Sequence, residues 1–124
     1  MNEGVRRIEP EREYFTAEQC HILELSNSQS DATVSIARAR VTRGVTTHWH
    51  RLTGIAERYV ILEGKGSVEV GDRAAEIVEP GDVVLIPPEF RQRIRNVGQS
   101  DLVFLAICTP RFVQNAYEDL ESTG

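Results

Sequence analysis

The sequence predicts an all-β fold, an antiparallel sandwich or barrel, and three features carry that prediction. Its extended segments are short and rich in β-branched residues. Turn residues separate them about every eight to twelve positions, which is typical of sandwiches and barrels, and no helical period appears between them. The 124 residues suffice for one domain with its own core, so we expect a single barrel.

The first part of the chain supplies an arm and two strands. Residues 1–13 are charged and are predicted to form an N-terminal arm or an edge. Residues 21–25 alternate imperfectly between apolar and polar side chains, and residues 33–42 alternate more regularly, so both are predicted strands. Gly44 then ends the second strand.

The second part of the chain predicts a series of hairpins. The turn at 63–66 joins strands at 59–62 and 67–70, and a Pro-Gly turn at 79–82 precedes a strand at 83–86. Strands at 91–96 and 102–107 complete the set.

Only residues 113–121 suit a helix, and their acidic end opposes the helix dipole, so this helix would be short. We therefore predict three parts: an arm over 1–13, a barrel domain over 14–112 and a C-terminal tail over 113–124 that can hold a short helix.

Composition limits the function classes. Nineteen acidic and 14 basic side chains give a formal net charge of −5, which argues against a nucleic-acid partner because no excess of cations neutralises phosphates. No apolar run approaches the roughly 18 residues of a membrane span, and residues 1–13 lack the apolar stretch of a secretory signal. We expect a cytoplasmic protein without a membrane partner. Cys20 and Cys108 lack C-x-x-C spacing and are expected to be buried thiols.

Two histidines suggest a site. His48 and His50 are two residues apart, and on a strand this spacing points both imidazoles to the same face, as two ligands of one metal require. The pair alone is a weak signal, because most histidines serve packing or hydrogen bonding and a metal needs further converging ligands.

The spacing around the histidines is more informative. The first pattern, Gly44-x5-His50-x-Leu52-x4-Glu57-x6-Gly64, resembles the first motif of the cupin family, commonly written G-x5-H-x-H-x3,4-E-x6-G. His50 takes the first histidine position and Glu57 takes the carboxylate position. Leu52 stands where the family has its second histidine.

A second pattern lies downstream. Gly81-x5-Pro87-x-Glu89-x2-Gln92-x3-Asn96 is similar to the second cupin motif, G-x5-P-x-G-x2-H-x3-N, with Glu89 in place of a glycine and Gln92 in place of the last histidine. The resemblance covers about residues 33–107 and implies an antiparallel jelly-roll barrel, the double-stranded β-helix.

The resemblance also implies a metal centre in the barrel mouth. Its candidate ligands are His48, His50, Glu57 and Gln92, and the metal would be a divalent ion such as iron, manganese, nickel, copper or zinc. An alternative register pairs His48 with His50 as the family's two histidines, but it needs an irregularity in the strand or loop. In the preferred register His48 shares the face of His50 and replaces the imidazole lost at Leu52. Complete loss of the metal is the other outcome that these substitutions predict.

Two more residues are candidates for substrate contact. Tyr59 lies two residues after Glu57, on the same predicted face, where core packing and substrate binding are equally open. Arg38 and Arg40 share one face of another predicted strand. If that face is inward, Arg38 is our candidate for holding an anionic substrate.

Other conspicuous side chains are expected to face away from the site. Trp49 alternates with the two histidines and is predicted to serve packing or a subunit interface. Arg91, Arg93 and Arg95 alternate with Gln92 and are predicted to form a solvated or interface stripe.

Two functional hypotheses follow. The first is a small metal-dependent cupin enzyme that binds or converts a small polar molecule, such as a sugar derivative, an organic acid or a polyketide-like ring, in the barrel mouth. The alternative is a non-catalytic binding or sensing cupin that has lost its metal, which Leu52 and Gln92 favour. Open edge strands and the arm suit a homodimer in either case.

Overall fold

Two antiparallel sheets face each other in the structure, a computed structural model that describes residues 1–121. One sheet has six strands in the order β1-β2-β3-β10-β5-β8, and the other has five in the order β11-β4-β9-β6-β7. The strand bounds are β1 Tyr14–Phe15, β2 His21–Ser26, β3 Ser35–Val41, β4 His50–Leu52, β5 Ala56–Glu63, β6 Gly66–Val70, β7 Glu76–Val78, β8 Val83–Ile86, β9 Gln92–Asn96, β10 Leu102–Thr109 and β11 Tyr117–Asp119.

The predicted all-β class and the double-stranded β-helix are therefore confirmed. Strands that lie side by side in the sheets are mostly distant in sequence. For example, β10 pairs with both β3 and β5, and β9 pairs with both β4 and β6. This crossing between the sheets is the signature of a jelly roll and brings residues from both motifs to one end of the barrel.

The core lies between the sheets and follows the alternation of the strands. The inward residues of β5 are Glu57, Tyr59 and Ile61, all buried, while the residues between them are more exposed. Ile61, Ile94 and Leu102 are among the fully buried side chains. A second small cluster of Leu52, Ile55 and Cys108 lies at the end of the barrel that holds the candidate site.

The C-terminal segment differs from the predicted helix. Residues Gln114–Ala116 form a single 3-10 turn, and β11 then pairs with β4, placing Tyr117 opposite Leu52. The edge of the five-stranded sheet offers unpaired backbone groups, and pairing satisfies more of them than one helical turn would. Residues 122–124 of the predicted tail lie outside the described residues.

The N-terminal arm contains a 3-10 turn at Pro10–Arg12, and residues 1–9 have no regular secondary structure. Glu13 anchors its end, since its carboxylate accepts hydrogen bonds from Arg40 at 2.7 Å and from Arg38 at 3.4 Å. Within residues 1–121, the structure contains no helix with the length and hydropathy of a membrane span.

Candidate functional site

A cavity of about 120 Å³ opens between the two sheets, at the end of the barrel where the motifs meet. Strand β5 brings Glu57 to it from the six-stranded sheet, and β4 brings His50 and Leu52 from the five-stranded sheet. His50 and Leu52 share the cavity face because they are two residues apart on a true strand. This placement agrees with the register that puts Leu52 at the second histidine position.

The His50 ring is buried and is held by a hydrogen bond at Nδ1. It is 4% exposed, and its Nδ1 lies 2.7 Å from the carbonyl oxygen of His48. A carbonyl only accepts, so Nδ1 carries the proton and the neutral ring keeps a lone pair on Nε2. Burial lowers the pKa of His50 below its usual value, although the His48 carbonyl and the Glu57 carboxyl oppose that effect.

Glu18 faces the free nitrogen of this ring. Its Oε2 lies 3.3 Å from Nε2 of His50, and burial raises the pKa of Glu18 to about 7. Near neutral pH the Glu18 carboxyl can therefore hold a proton beside Nε2 of the neutral His50 ring. Glu18 lies in the loop between β1 and β2, and no motif in the sequence marked it as a site residue.

Glu57 is the second carboxyl of the cavity. It is 9% exposed, and burial raises its pKa to about 7, partly offset by the nearby His50. Its Oε1 accepts a hydrogen bond of 2.7 Å from the amide nitrogen of Gln92. Its Oε2 lies 3.8 Å from the thiol sulfur of Cys108, which also lines the cavity.

Gln92 lies beneath the cavity and is fully buried. It sits opposite His50 in the pairing of β4 with β9. Its amide nitrogen donates to Glu57, and its amide oxygen accepts from the hydroxyl of Tyr59. Tyr59 is itself buried against Phe104, with ring centroids 4.3 Å apart. Tyr59, a candidate for substrate contact, does not line the cavity and instead supports Glu57 through Gln92.

His48 is not one of the residues that line the cavity. Residues 47–49 are not in a strand, so the expected alternation with His50 does not hold there. The backbone N–H of His48 donates to the carbonyl of Glu18 at 3.0 Å. Its Nδ1 lies 3.3 Å from a carboxylate oxygen of Asp119 on β11.

The four residues proposed as metal ligands therefore do not form one donor set. His48 faces Asp119, and the amide oxygen of Gln92, the atom that would bind a metal, is engaged by Tyr59. Within residues 1–121, no three His, Cys, Asp or Glu side chains are placed to hold a metal ion. The donor geometry does not fit the metal that the resemblance implied, and we derive no chemistry through it.

Arg38 lies on the other face of its strand. The inward residues Ser35 and Ala37 line the cavity, whereas Arg38 pairs with Glu13 outside the barrel. The structure does not bring Arg38 to the cavity.

The outer face of the five-stranded sheet carries the predicted arginine stripe. The guanidinium groups of Arg91 and Arg93 each lie 4.3 Å from the centre of the Trp49 ring. Arg93 also pairs with Glu69 at 2.8 Å. These contacts stabilise the outer surface and are separate from the cavity.

Comparison with known proteins identifies the family. The family model described as "Cupin domain" matches residues 38–108. An uncharacterised protein of Methanocaldococcus jannaschii, MJ1618, is 33% identical over 110 residues, covering 87% of each chain. Glucose-6-phosphate isomerase of Pyrococcus furiosus is 41% identical over 64 residues, which cover 48% of this chain and 34% of the isomerase. The match thus spans about a third of the isomerase.

A solved structure of a Streptomyces protein shares the fold. Pac13, described as a nucleoside dehydratase, superposes in a uridine-bound variant with a TM-score of 0.78. The two are 14% identical, and the alignment covers 100% of this chain and 95% of Pac13. At that identity the likeness shows the architecture alone. The family match over most of the barrel and the relative in Methanocaldococcus place this chain in the cupin family.

Proposed function

We propose that this cupin binds a small polar molecule in the cavity and converts it by proton transfer, with His50 as the central acid–base group. The observation that carries the proposal is the geometry of His50. Its Nδ1 proton is held by the His48 carbonyl, which leaves Nε2 free to exchange a proton with Glu18 at 3.3 Å. A base with a fixed tautomer and a reserve proton nearby is the arrangement that general acid–base catalysis needs.

Glu57 gives the cavity a second proton-handling group. With the pKa of both Glu18 and Glu57 at about 7, each carboxyl can either donate or accept near neutral pH. Gln92 holds Glu57 at a fixed angle from beneath. The cavity therefore supports reactions that remove a proton at one point of a substrate and return one at another, as in isomerisation or elimination.

The named relatives support the substrate class. The isomerases act on a phosphorylated sugar by their name, and Pac13 is described as acting on a nucleoside. Both compounds contain a sugar ring. On these grounds we propose a sugar-containing or sugar-like compound, which agrees with the small polar molecule expected from the sequence.

Deuterium exchange tests this function. We expect wild-type protein incubated in D2O with a panel of sugars, sugar derivatives and nucleosides to exchange a carbon-bound proton or form product, detected by proton NMR. His50→Gln should slow the reaction by about 10² to 10⁴, the usual contribution of a general acid or base. His48→Gln is the matched control and should retain most of the rate, because its ring faces Asp119.

The outcomes separate the hypotheses. An equal loss of rate in His48→Gln and His50→Gln would contradict the assignment of His50 as the central acid–base group. It would instead favour a set of ligands that both histidines share. If compounds bind to wild type but exchange protons no faster than they do with His50→Gln, the result would instead support the non-catalytic binding cupin. Leu52, an apolar side chain at a family ligand position, is the observation that favours this second function.

We also propose a homodimer formed through the β8 edge of the six-stranded sheet. Strand β8 is its edge, and the exposed fractions of Val83, Leu85 and Leu62 on or beside it are 54%, 68% and 43%. An apolar edge strand is suited to pairing with its own copy about a two-fold axis. Light scattering should give about twice the 13.9 kDa chain mass, and Leu85→Glu should halve it. A wild-type mass of one chain at micromolar concentration would refute the dimer.

A further inference from the structure

The peptide bond between His48 and Trp49 connects the candidate site to the C-terminal segment. Its carbonyl oxygen, that of His48, accepts the hydrogen bond from Nδ1 of His50 at 2.7 Å. Its N–H, that of Trp49, donates to the carboxylate of Glu121, with 2.7 Å between the nitrogen and Oε1. A peptide unit is planar, and in a trans unit such as this one the two groups point in opposite directions. The Glu121 carboxylate therefore holds one side of the plane whose other side holds the His50 proton.

The other backbone groups of residues 47–49 have partners as well. The buried Thr47 donates its N–H to the carbonyl of Ile94 at 2.9 Å and accepts the N–H of Ile94 on its hydroxyl at 3.0 Å. The carbonyl of Trp49 accepts from the N–H of Leu120 at 2.8 Å. The three residues are not in a strand, so no sheet ladder sets the rotation of the peptide unit between the second and the third. That rotation depends on the two hydrogen bonds of the unit itself.

The C-terminal segment positions Glu121. Strand β11 pairs with β4 and places Asp119 opposite His50. Oδ1 of Asp119 accepts the backbone N–H of Glu121 at 2.9 Å, which fixes the chain just after the strand. The same strand carries Tyr117, whose ring stacks on His50 with centroids 5.3 Å apart and an angle of 27° between the planes. Glu121 thus follows directly from the strand that packs against the His50 ring.

The neutral His50 ring has one proton and two neighbouring acceptors. The His48 carbonyl lies at Nδ1, and the Glu18 carboxyl, which accepts when it is ionised, lies 3.3 Å from Nε2. The acceptor that one nitrogen meets decides which nitrogen carries the proton. A rotated peptide unit would remove the acceptor at Nδ1 and leave the proton on Nε2, facing Glu18. A carboxylate bound to the N–H of Trp49 also polarises the peptide unit and makes its carbonyl a stronger acceptor.

Building on the proposed function, we propose that Glu121 is a positioning residue of this site. Its carboxylate fixes the peptide unit between His48 and Trp49 and thereby keeps the His50 proton on Nδ1 and the lone pair on Nε2. Glu121 is not one of the residues that line the cavity, so it acts through this peptide unit. Proton transfer by His50 therefore requires a carboxylate that lies outside both sequence motifs.

Ring NMR of His50 tests this proposal without a substrate. The long-range 15N–1H spectrum at pH 8 reports which nitrogen carries the proton. Glu121→Ala should raise the ratio of the Nε2–H to the Nδ1–H tautomer about tenfold, the effect of losing one hydrogen bond. Glu121→Gln should restore the wild-type ratio, because its amide oxygen still accepts from Trp49. Glu118→Ala is the matched control and should keep the wild-type ratio, since it removes a β11 carboxylate that pairs with Arg51.

Three results would overturn the proposal. An unchanged ratio in Glu121→Ala would show that other contacts fix the peptide unit. An equal rise in Glu121→Gln would show that the hydrogen bond to Trp49 is not the cause, and an equal rise in Glu118→Ala would show a general loosening of β11. Circular dichroism and the melting temperature establish that each variant is folded. If Glu121→Ala does not fold, Glu121→Asp replaces it, because its carboxylate is one methylene short and should raise the ratio in the same way.

Kinetics separate this proposal from the proposed function. In the deuterium-exchange assay, Glu121→Ala should lower kcat in proportion to the fraction of Nδ1–H tautomer lost and leave KM nearly unchanged, since the cavity wall is retained. If the tautomer depends on Glu121 but wild type exchanges no compound, the proposed catalysis fails and the positioning role stands. If wild type exchanges a compound and Glu121→Ala changes neither the tautomer nor kcat, the positioning role fails and the catalysis stands.

Discussion

Replacing Gly64 with alanine is expected to destabilise the protein by about 3 kcal/mol, the largest effect that we predict for a single methyl group. Gly64 has a φ of +85°, a conformation that L-residues rarely adopt. A Cβ at this position would also lie 2.6 Å from the backbone carbonyl oxygen of Asp101 and 3.0 Å from Cα of Leu102. Backbone atoms cannot rotate away as a flexible side chain would, so the turn after β5 must shift.

Gly44→Ala is the matched control for this prediction. Gly44 has a similar φ of +78°, but a Cβ there would meet nothing within 4 Å. We expect a loss of only about 1 kcal/mol, the conformational part of the cost. Urea denaturation of both variants measures the difference. Equal losses would contradict the account, because the close approach of residues 101 and 102 would then have no energetic consequence.

Replacing Glu57 with glutamine is expected to remove the part of the pH dependence of stability between about pH 4.5 and 7 that this carboxyl contributes, while Glu18, whose pKa is also raised to about 7, contributes a similar part that remains. Burial raises the pKa of Glu57 in the folded chain from 4.5 to about 7. In that range the unfolded chain loses the proton while the folded chain keeps it, so the free energy of unfolding falls as pH rises and levels off above pH 7. For this group the decline amounts to about 3 kcal/mol.

Glutamine cannot ionise, and its carbonyl oxygen can still accept the hydrogen bond from Gln92. Glu57→Gln should therefore match wild type near pH 4.5 and exceed its stability at pH 8. Glu63→Gln, which removes an exposed carboxyl from the same strand, should follow the wild-type curve. A Glu57→Gln protein that declines with pH as steeply as wild type would show that Glu57 ionises normally in the fold.

Local patterns in the sequence predicted most of the fold because alternation and turn residues act over a few positions. Strand β8 has the predicted bounds, and β9 differs from them by one residue. Glu89, which departs from a motif glycine, still adopts the positive φ of 68° that makes glycine usual at that position. Strands β4 and β11 were not predicted, since each is three residues long and depends on partners distant in sequence.

The sequence predicted only those site residues whose positions follow from the spacing within a motif. His50 and Glu57 lie at the cavity because each has a defined place on a strand. Glu18 and Tyr117 come from a loop and from the C-terminal segment, and no local signal marks either of them. Their roles depend on contacts with His50 that exist only in the folded chain.

The orientation of His48 illustrates the same limit. Two-residue spacing places side chains on one face only within a strand, and residues 47–49 are not in one. The pairing of His48 with Asp119 depends on β11, which the sequence did not predict. The orientation of a candidate ligand can thus be decided by a segment that is distant from it in the sequence.

The central proposal is that His50 carries its proton on Nδ1 and keeps Nε2 free for proton exchange with Glu18. The most direct measurement is the long-range 15N–1H NMR spectrum of the His50 ring at pH 7, recorded before and after one equivalent of zinc. We expect a neutral ring with its proton on Nδ1 and no change on adding zinc. A shift of Nε2 on adding zinc, or a ring protonated on Nε2 alone, would contradict the account.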